Sequence, residues 1–189
     1  MEKIKPYIRC VIFTAGIILL IAACNFCFAQ TGYINYLLRD VNADETDYDT
    51  IVLGASHGRS AIDPNITDAH TGDNTISMSI PSETLKDSYY VLKEGCRNND
   101  VKKVILDVDF QYWFGPQGQR HFQEAFIYNQ VSWFSPQKWE YLFDNMSFLD
   151  IRNAISQRNT YQYTMQNVKS NINQKLSTDY EKHNIYSLS

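Results

Sequence analysis

The stretch DTIVLGASHGRSAIDP, Asp49–Pro64, decides how the chain is read. It opens on a short apolar, β-branched run, Thr50–Leu53, which reads as a buried strand. Small and polar residues follow, with Ser56 at the centre of Gly54-Ala55-Ser56-His57-Gly58. Asp63-Pro64 has the form of a helix N-cap followed by proline at the first helical position, which predicts a short helix to about His70.

Working outward, Thr75–Ile80 reads as a second strand. Pro81-Ser82 opens a helix with Leu85, Tyr89, Leu92 and Cys96 at helical spacing, the stripe expected to face the core. Val104–Val108 reads as a third strand, apolar on both faces. Strand, helix, strand, helix, strand is the pattern of an α/β domain with a parallel sheet covered on both sides. Ligands of such sheets bind at the carboxyl ends of the strands. That singles out three loops: Gly54–Arg59, Ser79–Glu83 and Asp107–Gly115. Beyond Gly118 the pattern turns helical, with helices expected from Ser135-Pro136 through Phe143, over Asp150–Arg158 and over Tyr161–Leu176. Three strands make a small sheet, so further strands are expected beyond Ser189.

The N-terminus is of another kind. Lys3, Lys5 and Arg9 precede an apolar run, Cys10–Ala29, of the roughly 20 residues that cross a bilayer. The basic flank (residues 1–9) predicts a cytoplasmic N-terminus and an extracytoplasmic remainder. An uncleaved signal anchor is the favoured reading. Cleavage after Cys27-Phe28-Ala29, or lipidation of Cys24 in Ile21-Ala22-Ala23-Cys24, are its competitors. Residues 30–48 read as a stalk, broken by turn formers and acidic residues. The domain proper is expected over 49–189.

Composition narrows the classes. A chain of 189 residues with a formal charge of −4 has no basic stripe for a phosphate backbone, so nucleic acid is not an expected partner. Cys96 stands alone outside the apolar run, which leaves no intramolecular disulfide for the domain. No cluster has zinc-like spacing, and neither metal nor cofactor is expected.

Gly54–Gly58 matches G-x-S-x-G, the nucleophile elbow of α/β-hydrolases, but there the elbow follows several strands. A serine directly after the first strand resembles instead the first block of the SGNH/GDSL hydrolase superfamily. IVLGASHGRSAIDP, SETLKDSYYVLKEG and VKKVILDVDFQYWF, in that order behind one membrane segment, are similar to the SGNH-like proteins of bacterial envelope-polysaccharide loci. Their anchored relatives include the D-alanyl-lipoteichoic-acid acyltransferase group and alginate acetylation proteins. The resemblance implies a three-layer α/β/α, flavodoxin-like fold. It implies an esterase or O-acyltransferase acting on envelope glycan, with a membrane-bound acyl-transfer partner. Ser56 would be the nucleophile and its own N–H an oxyanion donor. Ser79 stands where the family has a glycine donor, and Asn129 where it has an asparagine, in a context that does not match. His57, read from its position alone, would orient substrate or hydrogen-bond the domain's backbone, a structural role. The family's late D-x-x-H is missing; Asp179 and His183 are spaced D-x-x-x-H. The base would therefore lie outside these residues.

Three further features have rival readings. A non-catalytic glycan- or partner-binding module would use the same fold without a triad. Asp107-Val108-Asp109 is a D-x-D, which sugar-nucleotide enzymes use to hold a metal; the reading preferred here is that Asp107 shapes a loop at the sheet edge. Trp113, Phe114, Trp133, Phe134 and Trp139 read as the core of a helical subdomain in preference to a sugar-stacking surface.

Overall fold

The computed structural model describes residues 5–29, 33–43, 47–108, 114, 122, 126–127, 131–145, 151–152, 155 and 164–177. Three parallel strands, β1 (Thr50–Leu53), β2 (Thr75–Ser77) and β3 (Lys103–Leu106), form a sheet in the order β2-β1-β3. Thr50 pairs with Thr75 on one side and Lys103 on the other. The chain leaves β1 for β2, then crosses back to β3 on the far edge. With right-handed crossovers, the connecting helices fall on opposite faces of the sheet. The reversal places a crevice at the carboxyl ends of β1 and β3.

Two N-terminal helices, α1 (Lys5–Phe28) and α2 (Tyr33–Val41), precede the sheet, and the first crossover carries two short ones, α3 (Ser56–Ala61) and α4 (Pro64–Thr71). Asp63 caps α4 as expected, accepting the Asn65 N–H at 2.9 Å, and Gly72 closes it in the left-handed conformation. The second crossover turns at Ile80–Glu83, where the Glu83 N–H bonds to the Ile80 carbonyl and Ser82 takes φ 65°. It continues as α5 (Leu85–Gly95), which starts later than expected because Asp87 accepts both the N–H and the hydroxyl of Thr84.

The buried face of α5 differs from the expected stripe. Leu85, Tyr89 and Cys96 are exposed, whereas Asp87, Ser88, Tyr90, Val91, Glu94 and Gly95 are buried. The helix lies between the sheet and α6 (Pro136–Asn145), so two of its sides are covered. Gly95 packs so closely that a Cβ there would lie 2.6 Å from Ile51 Cδ1. The buried polar groups have partners across the seam. Tyr141 donates to Asp87 at 3.0 Å, Tyr90 to Asp144 at 3.0 Å, and Ser135 to Glu94 at 2.7 Å. Tyr90 and Tyr141 meet edge to face, the geometry their quadrupoles favour.

β3 departs from expectation too. β1 and β2 are wholly buried, but Val104 and Leu106 of β3, and Val108 two residues past its end, are exposed at the sheet edge. Its Lys103 reaches Asp73 at 2.6 Å across the first crossover.

α1 (Lys5–Phe28) has no buried residue and is long and apolar enough to cross a membrane. At 1.5 Å per residue it spans roughly 36 Å. The segment expected to be a stalk instead contains α2 (Tyr33–Val41), whose Ile34, Leu37, Leu38 and Val41 enter the main core beside Ile51, Ile76, Phe126 and Tyr141. The C-terminal end of α1 is clasped by α7 (Met165–Leu176), where Lys175 donates to the carbonyls of Asn25, Phe26 and Ala29 at 2.8–3.0 Å. Asn25 also accepts the Ala29 N–H at 3.1 Å, whereas Phe26 lies in the last turn, where a helix leaves carbonyls without internal partners, and a cation there suits the helix dipole. In return, Tyr36 and Arg39 of α2 donate to the Gln174 and Ser177 carbonyls at the end of α7.

Lys138 of α6 is buried, with its ammonium 3.1 Å from the Val131 carbonyl and over the Trp133 ring. Burial pulls its pKa down from 10.5 to about 7. Below that value the ammonium is charged in both folded and unfolded chains, and its desolvation opposes folding in full. As pH rises the folded chain releases the proton first, so the cost fades and is gone by about 10.5. Lys138→Met is therefore expected to stabilise by about 1–2 kcal/mol near neutrality. The gain should shrink between pH 7 and 10, read as the difference in unfolding midpoints.

Candidate functional site

Two glycines bring the carboxyl ends of the strands together. Gly54 ends β1 with φ 154°, a conformation that side-chain-bearing residues rarely adopt. A Cβ there would lie 2.9 Å from Asp107 Cβ and 3.0 Å from the Asp107 carbonyl. Gly58, in α3, is buried against Ser79 Oγ and the Asp107 side chain, at 2.9 and 3.0 Å from where its Cβ would stand. The loops after β1, β2 and β3 thus converge on Gly58, and they begin the three loops that the sequence singled out.

Ser56 is the first residue of α3 and is exposed, as is His57 beside it. No described side chain hydrogen-bonds the Ser56 hydroxyl. Ser79 is buried on the continuation of β2, where the Met78 and Ile80 N–H groups extend the ladder to the Val52 and Gly54 carbonyls. It lies behind Gly58 as part of the wall, so its place in the site is set by close packing. Asn129, Asp179, His183, His121, Trp113 and Asp109 lie outside the described residues. His70 is on α4, its ring bonded to the Ile66 carbonyl one turn back.

No family model, curated protein or solved structure matches the chain.

Two acidic residues belong to this site; both lie in loops that the sequence singled out, but no motif gave either a role there. Asp107, read only as a loop-shaping residue, has its Oδ2 buried against Gly58 with no hydrogen-bond partner. That oxygen is an enclosed acceptor wedged against Gly58, just past the carboxyl end of β3. Glu83 lies beneath the turn and is 2% exposed. Its carboxyl accepts the Ile80 N–H at 3.0 Å and the Ser88 hydroxyl, and the Gly54 N–H also faces it. Burial holds it well above the usual carboxylate range, against the pull of those donors. Glu83 thus ties the β1 turn to the β2 turn from inside. Within SETLKD nothing separates it from an ordinary surface glutamate, and only the turn beside it could have drawn attention. Among the described residues, no group of three His, Cys, Asp or Glu side chains is placed to hold a metal ion.

Proposed function

We propose that Ser56 is the nucleophile of an SGNH-like esterase or O-acyltransferase that acts outside the cytoplasm on cell-envelope polysaccharide. The observation that carries this reading is the place of Ser56. An exposed hydroxyl stands directly after the central strand, at the switch point of the sheet, with Gly54 and Gly58 on either side. Small neighbours let an acyl carbonyl approach. Attack by Ser56 Oγ gives a tetrahedral oxyanion, which the Ser56 N–H would meet; its collapse breaks the ester C–O bond, releases the alkoxide as an alcohol with the proton taken from Ser56, and leaves an acyl-serine. Water then completes hydrolysis, or a sugar hydroxyl completes transfer. The proton of Ser56 needs a base. His57 adjoins it on the chain and does not bond it, so the reading takes the base from a histidine elsewhere. The apolar α1 with its basic flank supports an anchored, extracytoplasmic domain.

The test is a fluorophosphonate probe on the full-length chain in mild detergent. Wild type is expected to label, and Ser56→Ala is not. Folded protein that shows no Ser56-dependent labelling would sink the nucleophile and leave the non-catalytic glycan- or partner-binding module.

A further inference from the structure

Lys5–Leu20 of α1 is exposed on every side, and from Ile21 onward the helix is partly covered. Among the described residues the cover comes from α7 and from Ile155. Lys175 holds the Asn25, Phe26 and Ala29 carbonyls, Asn171 donates to the Phe28 carbonyl at 3.4 Å, and the Ile155 carbonyl accepts from Asn25 at 2.7 Å. Length now decides where α7 sits. Lys5–Leu20 runs about 24 Å at helical rise, whereas the hydrocarbon of a bilayer is about 30 Å thick. With α1 across a bilayer, the last ~6 Å of hydrocarbon fall on the stretch that α7 covers. Arg9 favours a cytoplasmic boundary beyond Lys5, which carries the hydrocarbon further toward Phe28.

The faces of α7 suit that place. At about 100° per residue, Met165, Val168, Ile172 and Leu176 fall within about 80° of one another. This apolar stripe is not the side turned most fully to the protein. Asn171 is buried, while Met165 is 81% exposed and Leu176 67% exposed. Polar side chains hold the helix to α1, and the two ends of the stripe face out. In water that arrangement leaves apolar surface wet. At a bilayer it is the expected one, since an amphipathic helix lies in the interface with its apolar side about 5–10 Å deep and its cations snorkelling to the headgroups. Lys169 is exposed, and Met165–Leu176 contains neither Asp nor Glu to repel lipid phosphate. Phe26, exposed on the adjoining turn of α1, continues the apolar surface from one helix to the other.

We propose that α7 lies in the surface of the bilayer that α1 spans, with Met165, Ile172 and Leu176 among the acyl chains and Lys169 at the lipid phosphates. The occupant of this face is the lipid leaflet, because α7 is fixed by hydrogen bonds to the one helix that is apolar all round. The inference rests on the anchored reading of α1 and is independent of Ser56.

The test is tryptophan fluorescence of the full-length chain in nanodiscs of phosphatidylcholine and phosphatidylglycerol, with lipid brominated either near the top of its acyl chains or near their ends. Met165→Trp and Leu176→Trp change exposed sites, and the wild-type spectrum is subtracted to remove the native tryptophans. Bromine near the top of the chains is expected to quench both at least about threefold more than Ser170→Trp, an exposed site roughly 120–140° round the same helix. Ile18→Trp, in the middle of the apolar run, reports on the anchor and should be quenched by bromine near the chain ends. Quenching at Ile18 with neither α7 site exceeding Ser170 overturns the proposal and leaves the anchor standing. A blue-shifted but unquenched Leu176→Trp overturns it too, and points to a protein covering the stripe. An unquenched Ile18→Trp removes the anchor, and the proposal with it.

Discussion

Gly54→Ala is expected to lower the stability of the chain by about 2–4 kcal/mol, because it combines a disfavoured backbone conformation with overpacking. The φ of 154° is open to glycine, and the added methyl would meet Asp107 on both side chain and backbone at 2.9–3.0 Å. The backbone carbonyl cannot move aside without unzipping β3, since the Asp107 N–H is bonded to Leu53 at 2.8 Å. Gly72→Ala separates the two contributions. Gly72 has φ 74° but nothing within 4 Å of its Cβ position. It should cost only about 1–2 kcal/mol, the conformational part alone. Denaturant midpoints of the two variants, followed by circular dichroism in detergent, make the comparison. Equal losses would mean that Asp107 does not press on the turn, and the convergence of loops on Ser56 would lose its main support.

Glu83→Ala is expected to cost about 3 kcal/mol or more, since it leaves buried donors without a partner. The Ile80 N–H and the Ser88 hydroxyl are aimed at that carboxyl, and both are enclosed. Glu83→Gln gives a sharper result. Burial raises the folded pKa of Glu83 well above 4.5. Between 4.5 and the raised value, the folded chain keeps a proton that the unfolded chain has released. The stability contributed by this carboxyl is thus fully present below pH 4.5 and declines as pH rises through the folded value. Glutamine still accepts from Ile80 but does not titrate. Relative to wild type, Glu83→Gln should therefore gain stability as pH is raised from about 4 to about 8. A constant difference between the two unfolding midpoints over that range would show that Glu83 does not change protonation there.

Local chemistry made much of this fold legible. A β-branched run before a glycine reads as a strand, and Asp63-Pro64 reads as a helix start, because the causes of both lie within a few residues. What escaped was decided by distant neighbours. The apolar stripe Leu85-Tyr89-Cys96 faces outward because α6 supplies hydroxyls to a polar face of α5, an arrangement that hydrophobic periodicity cannot register. The supposed stalk is core because Ile34, Leu37 and Val41 meet residues about a hundred positions away. In the site, Ser56 was visible from its setting between small residues. Glu83 and Asp107 were not, since their roles follow from burial and from the return of β3 beside β1.

The clasp of α7 on the end of α1 bears on reach. A flexible linker through residues 30–48, with a root-mean-square span of roughly 5–6 Å times the square root of its length, would let the domain sweep a dome about 25 Å in radius. A domain whose Lys175 grips the last carbonyls of α1, and whose α2 is sunk in its own core, has no such dome. With α1 across a bilayer, as proposed above, the carboxyl ends of the strands ride at one altitude over it and turn only as α1 turns. On that proposal a partner chain would be met there only if its own length and slack bring it to that altitude, so the ruler that selects what is reached would belong to the partner.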